Sequence, residues 1–221
     1  MKKTSIKFFI ASAFLFVLFV VFTVLIKTVN TEAIGPNNSV VGFAALNQAV
    51  FEGLGQNSIW DVISDAFMIV ALLIAACFAV IGFVQILKRK KLLLVDKEIL
   101  ALGILYVLIA TFFVILEFAA INFRPILQDG LLEASYPSTH ALIVGCVFGS
   151  VMILADYITK NKYLKIGTYA FSSVVIALTI VARLLSGMHW LTDVVAAVIL
   201  TSALLVLFAG LKFNFCKKEN N

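Results

Sequence analysis

The chain has 221 residues, of which 62% are apolar or aromatic, against ~45–50% in soluble domains. A soluble fold this apolar lacks the polar surface to cover its core, and with only 13% charged residues the composition points to lipid as the solvent. The net charge of +5 is spread in short clusters between apolar runs rather than gathered in one patch, which argues against a nucleic-acid partner.

The chain opens on lysines followed by an apolar run over 8–26. That run exceeds the ~7–15 residues of a signal h-region and has no small-residue cleavage site after it, so a retained first helix is expected. Further apolar runs cover about 60–87, 99–121, 139–158, 164–185 and 188–213. Each reaches the ~20 residues that cross ~30 Å of hydrocarbon. Open sheets leave backbone groups unsatisfied in lipid. The expected fold is therefore all-α: a polytopic six-helix membrane bundle in one domain, 1–221.

Between the first two runs, 30–39 carries Gly35, Pro36 and paired asparagines, a turn signature. Val40, Phe43, Ala44, Asn47, Val50 and Phe51 then repeat at helical spacing, which predicts a short amphipathic helix in the membrane interface. Trp60 and Trp190 fall at run ends and read as members of an aromatic belt. Cys77, Cys146 and Cys216 show no CxxC spacing, so neither a zinc site nor a redox pair is indicated.

Charge sets direction. Of the 17 Lys and Arg, only Lys27, Arg124 and Arg183 fall on one side of a six-span arrangement. The rest cluster at Lys2, Lys3 and Lys7, at 88–97, at 160–165, and at Lys212, Lys217 and Lys218. The positive-inside rule then puts both termini in the cytoplasm of a multi-pass cell-membrane protein. Asp156, near the inner end of the fourth run, reads as a solvated or lysine-paired residue.

The two histidines of the chain, His140 and His189, both fall at the opposite, outer edge, with Arg124 and Arg183. Asp193 stands one helical turn after His189. Ionisable groups at membrane depth are costly and usually functional. Pro137-Ser138-Thr139-His140 reads as a helix N-terminus with Ser138 as its cap, whose free N–H groups suit an anion. Two guanidiniums, a helix N-terminus, a serine and two imidazoles form a collection fit for phosphate. His189 is a candidate nucleophile if Asp193 accepts a hydrogen bond from one ring nitrogen and leaves the other free. His140 is then placed to protonate the departing alcohol and to activate water. No metal or other cofactor is needed.

These residues, Arg124-Pro125, Pro137-Ser138-Thr139-His140 and Arg183-x5-His189-x3-Asp193, resemble the three signature motifs of the type 2 phosphatidic acid phosphatases, or lipid phosphate phosphatases: K-x6-R-P, P-S-G-H and S-R-x5-H-x3-D. The resemblance covers about 117–193 and extends to the family's integral-membrane branch. It implies His189 as nucleophile, Asp193 as its partner and His140 as general acid. Arg124, Ser138, Thr139 and Arg183 would hold the phosphate of a phospholipid or polyprenyl lipid in the bilayer, without metal. Three positions depart from the pattern: Glu117 stands for the motif lysine, Thr139 for the glycine and Ala182 for the serine. Glu117 lies on the helical face of Arg124, ~10 Å along the axis, and either pairs with it or meets substrate. Phosphotransfer to an alcohol, phospholipid binding without turnover, and a metal site or transporter built on His140, His189 and Asp193 are the other readings of the same residues.

Overall fold

The computed structural model describes the backbone of residues 3–216 and the side chains of 5–215. The side chains of Lys2, Lys3, Cys216, Lys217 and Lys218 lie outside the described residues. Within them the chain is all-helical: α1 (Lys3–Thr28), α2 (Ala44–Leu54), α3 (Ser58–Arg89), α4 (Lys97–Ala119), α5 (Thr139–Ile153), α6 (Ala155–Ile158), α7 (Lys162–Leu185) and α8 (Leu191–Cys216). Helices α1, α3, α4, α7 and α8 are long and apolar enough to cross a membrane. The fourth expected span is divided: α5 stops at Ile153, and α6 resumes after Leu154. Lys212 Nζ donates to the carbonyl of Ile153, giving a partner to an acceptor at the end of α5. The last span begins at Leu191 rather than 188, so His189 lies in a loop.

Apolar side chains cover the outside of this bundle. Val62, Ile69, Leu73, Val80, Phe83 and Leu87 of α3 are all exposed, the inverse of a soluble helix and the arrangement lipid requires. The inside is built on α8, whose Ala196, Ala197, Leu200, Ala203, Leu204 and Phe208 are completely buried. Small residues let neighbouring backbones approach. A Cβ on Gly145 would lie 2.9 Å from Thr201 Cγ2, and one on Gly149 2.3 Å from Leu205 Cδ1, so α5 rests directly on α8. Helix α1 lies along α8 on another side, with Ser12 Oγ donating to the Ala203 carbonyl at 2.9 Å. The first apolar run is thus an integral part of the core.

The expected amphipathic helix is α2. Its Ala44 and Asn47 are buried, Phe43 packs on Phe22 and Phe51 on Trp190, with ring centroids 6.1 Å and 5.6 Å apart. Val40 stays outside the helix and exposed. Asn47 does more than fill space: its Nδ2 donates to the Gly42 carbonyl and to Thr192 Oγ1, and its Oδ1 accepts from the Thr192 N–H. It therefore ties α2 to the first turn of α8. Trp190 is only 3% exposed and donates from Nε1 to the Phe123 carbonyl at 2.8 Å. It is a core residue under α2 and not a member of an aromatic belt.

At the end of the bundle away from the histidines, Arg89 pairs with Asp96 at 2.7 Å and Lys165 with Asp156 at 2.5 Å. Asp156 is thus lysine-paired.

Gly42 is held against α1, where an added Cβ would sit 1.7 Å from the Ile26 carbonyl oxygen. Backbone cannot yield as a side chain does, so Gly42→Ala is expected to destabilise the fold by ~1–3 kcal/mol, seen as a lower unfolding temperature in detergent. Gly53→Ala, where a Cβ meets nothing within 4 Å, is the matched control and should leave that temperature unchanged or slightly raised.

Candidate active site

Four pieces of chain meet at one end of the bundle: the start of α3, the α4–α5 connection, the N-terminus of α5, and the turn between α7 and α8. The connection is a short hairpin. Phe123 pairs with Ala134 and Gln128 with Leu131 in antiparallel bridges, and the tip is Asp129-Gly130, both at positive φ (48° and 80°). That is the type I′ geometry for which Asp-Gly is favoured, a signal present in the sequence. The hairpin sets Arg124 opposite Glu133: the Arg124 N–H donates to the Glu133 carbonyl at 3.0 Å, and the two side chains approach to 3.2 Å. Arg124 therefore pairs with Glu133. Glu117 makes no ion pair among the described residues; it is exposed, in a shallow pocket shared with Tyr136, Pro137 and Thr139.

The α7–α8 turn passes through Gly187 at φ 71°, a conformation that favours glycine, and delivers His189 into the interior at 4% exposure. Its Nδ1 lies 3.0 Å from the main-chain carbonyl of Ser135. A carbonyl only accepts, so Nδ1 carries the proton and Nε2 keeps its lone pair. Nε2 is buried and has no partner. Asp193 Oδ2 is 3.8 Å from Nδ1, beyond hydrogen-bond range. Asp193 instead accepts from the Trp190 N–H and from Asn122 Nδ2, each at 3.1 Å, a reach back to the helix start like that of a capping box. The partner that selects the tautomer is thus the Ser135 carbonyl, while Asp193 holds the turn in place and lends the imidazole its charge. Burial, aided by the cations of Arg183 and Arg124 and opposed by Asp193, pushes the His189 imidazole down to about 4, so it is neutral at pH 7.

Arg183, near the end of α7, is 1% exposed. Its Nη1 donates to Asp61 Oδ1 at 2.5 Å and to Ser64 Oγ at 2.9 Å, both on α3. His140, in the first turn of α5, has Nε2 2.8 Å from Asp65 Oδ1, also on α3. Ser138 stands at the N-cap of α5 with no side-chain capping bond; its N–H donates to the Asp193 carbonyl at 3.1 Å, and its Oγ is buried without a partner. Thr139 is the first residue of α5 and partly exposed.

The structure thus brings Arg124, Ser138, Thr139, His140, Arg183, His189 and Asp193 to one locality and leaves Glu117 at its rim. It adds Asp61, Ser64, Asp65, Asn122, Glu133 and Ser135, none of which was singled out from the sequence. Asp61 and Asp65 did carry a signal, two carboxylates one turn apart at the head of an apolar run. Arg183 Nε, Ser135 Oγ, Ser138 Oγ and His189 Nε2 are buried without a hydrogen-bond partner, and Arg124 Nε, also buried, lies 3.2 Å from Glu133 Oε2 outside hydrogen-bond geometry. A cationic N–H donor, two hydroxyls and a free imidazole nitrogen at one end of the bundle suit an anion with several oxygens. No group of three His, Cys, Asp or Glu side chains among the described residues is placed to hold a metal ion.

The fold defines an α-helical membrane protein with a cluster of buried polar side chains at one end of its bundle. The family model of the PAP2 superfamily matches residues 112–215, from the last turns of α4 through α8. Its fold is similar to that in a crystal structure of the first transmembrane PAP2-type phosphatidylglycerolphosphate phosphatase from Bacillus subtilis. The TM-score is 0.58 over 94% of this chain and 96% of that one, at 18% sequence identity. No curated protein matches the chain.

Asp193 meets two N–H donors, and an amide oxygen can serve only one of them. Asp193→Asn therefore sets an NH₂ group against a buried donor and is expected to cost about 1–3 kcal/mol. Thermal unfolding in detergent measures it; an unchanged midpoint would show that the Trp190 and Asn122 bonds are not formed.

Proposed function

We propose that the protein is a membrane-embedded phosphatase that hydrolyses a phosphate monoester or diphosphate of a phospholipid or polyprenyl lipid through a phosphohistidine at His189. The observation that carries this reading is the set of buried polar atoms without a hydrogen-bond partner at this end of the bundle, Arg183 Nε, Ser135 Oγ, Ser138 Oγ and His189 Nε2. Leaving such groups unpaired costs about 1–3 kcal/mol each, and a phosphoryl group supplies oxygens to the three donors and phosphorus to the nitrogen. The match of residues 112–215 to the PAP2 superfamily model and the fold shared with a membrane phosphatase support it.

In this mechanism the guanidiniums and hydroxyls neutralise and orient the phosphoryl oxygens, a charge that grows at the leaving and equatorial oxygens in the transition state. His189 Nε2 attacks phosphorus with its lone pair. The bond to the lipid oxygen breaks, and His140 gives that oxygen a proton. Water then attacks the phosphohistidine, His140 takes its proton, and inorganic phosphate leaves. Arg124, Ser138, Thr139 and Arg183 are the phosphate holders, and Asp193 maintains the turn that presents His189. We place the site on the extracytoplasmic face, because Arg89, Lys165 and Lys212, with the other lysines of those loops, occupy the opposite end of the bundle. The apolar tails of the substrate stay in the bilayer throughout.

His189→Ala is expected to lower phosphate release from a phosphorylated lipid by more than ~10³-fold and to abolish an acid-labile, alkali-stable phosphoprotein in a quenched turnover with radiolabelled substrate. Full activity in that variant would remove His189 as nucleophile. Phosphotransfer shares every step up to the phosphohistidine, and product analysis with a competing alcohol separates it from hydrolysis.

Glu117 places an exposed carboxylate beside Thr139 at the rim, where it repels a dianion. Glu117→Lys is expected to lower KM for a simple lipid phosphate severalfold with little change in kcat. A loss of activity would instead assign Glu117 a contact with the natural head group.

A further inference from the structure

The mechanism above leaves α3 unused, yet this helix supplies Asp61, Ser64 and Asp65 to the site. The three lie on one helical face, at spacings of three and four. Asp61 and Ser64 occupy Nη1 of Arg183, which leaves its Nε free. Asp65 is different. Among the described residues its one ion pair is with His140, 2.8 Å from its Oδ1 to Nε2. Its side chain is 55% exposed, so the fold does not need it as a buried partner. Asp65 and Asp61 from α3 and Arg183 from α7 are the charges that act on His140.

We propose that Asp65 is the positioning residue for the general acid: it holds Nε2–H of His140 and thereby commits Nδ1 to the proton that the leaving group receives. This rests on the phosphatase reading. A histidine acting as acid and then as base needs one nitrogen fixed and the other facing the reaction. Asp65, from a helix 75 positions away in sequence, fixes the first. In the first step the bond between phosphorus and the lipid oxygen breaks, the bond between phosphorus and His189 Nε2 forms, and the proton on His140 Nδ1 passes to the lipid oxygen. Nε2–H stays on Asp65, whose carboxylate stabilises the imidazolium before transfer and again when Nδ1 takes a proton from water in the second step. No further reactant is consumed. In this arrangement His140 and Asp65 form a dyad parallel to that of His189 with the Ser135 carbonyl. A neutral carbonyl suits a nucleophile that must stay neutral, and a carboxylate suits an acid that must carry charge.

A proton donor matters in proportion to how badly the leaving oxygen needs a proton. An alkoxide needs one; a p-nitrophenolate departs without it. The test compares kcat/KM for an alkyl phosphate ester and for p-nitrophenyl phosphate, since that ratio reports the step in which the leaving group departs. Full-length protein in detergent is used as wild type, Asp65→Asn and Asp65→Glu. Asp65→Asn is expected to lose on the order of 10- to 100-fold on the alkyl ester, part of the contribution typical of a general acid, and only a few-fold on the nitrophenyl ester. Asp65→Glu, which keeps a carboxylate within reach, is expected to recover most of the alkyl-ester activity. Equal losses on both esters, or a loss that glutamate fails to restore, would make Asp65 a structural residue and overturn the proposal, as would no loss on either. Wild-type protein that releases phosphate from neither ester overturns the phosphatase reading and this inference with it.

Discussion

The hydrogen bond between His189 and the main-chain carbonyl of Ser135 is the contact around which this end of the bundle is arranged. A carbonyl oxygen cannot donate, so it removes the choice of tautomer and leaves a bare nitrogen inside the protein. Several elements serve that contact. The hairpin after α4 carries Ser135 to its position, with the Ser135 N–H bonded to the Asn122 carbonyl, and Asn122 also binds the Asp193 carboxylate from its side chain. Asp193 closes the first turn of α8 on the Trp190 N–H. Trp190 in turn is pinned to the hairpin at Phe123 and covered by Phe51 of α2. The short helix in the first loop therefore acts as a clamp over the turn that bears the nucleophile candidate.

Around this nitrogen the charges are paired before any ligand arrives: Arg124 with Glu133, Arg183 with Asp61, and His140 with Asp65. Away from water an unpaired guanidinium is costly, which accounts for carboxylates in a pocket suited to anions. The Arg183 pairing is incomplete, since it runs through Nη1 and leaves a buried Nε without a hydrogen bond, while Arg124 meets Glu133 through Nε itself at 3.2 Å. The pocket is thus electrically buffered yet still has directed donors to offer.

Much of the architecture was legible in the amino-acid sequence, because lipid imposes a simple rule on length and polarity. The apolar runs became helices whose ends fall within a few residues of expectation, with the division at Leu154 as the departure. The placement of Arg124, His140, Arg183, His189 and Asp193 at one end followed from counting spans. Partners were harder to read. Glu117 and Arg124 share a helical face on paper, but α4 ends at Ala119 and the chain turns into a hairpin, so Glu133 reaches Arg124 and Glu117 does not. Asp193 lies one turn from His189 on paper, but His189 precedes α8, so the helical spacing does not apply and a carbonyl takes the place of the carboxylate. Trp190 sits beside a membrane edge by count and is nevertheless buried, because α2 folds over it.

What the sequence determined by itself is everything that depends on one segment and its solvent: an apolar run long enough for the bilayer, a cluster of lysines that marks one end, and motif residues at fixed spacings along a helix. Only the tertiary structure decided which groups the site residues touch. The carboxylates of α3 meet Arg183 and His140 across separations of 122 and 75 positions, and the Ser135 carbonyl that holds His189 is a main-chain atom that every residue possesses. Neither kind of contact leaves a periodic trace in the chain, because both are set by how helices lean on one another and not by the order of residues within any one of them.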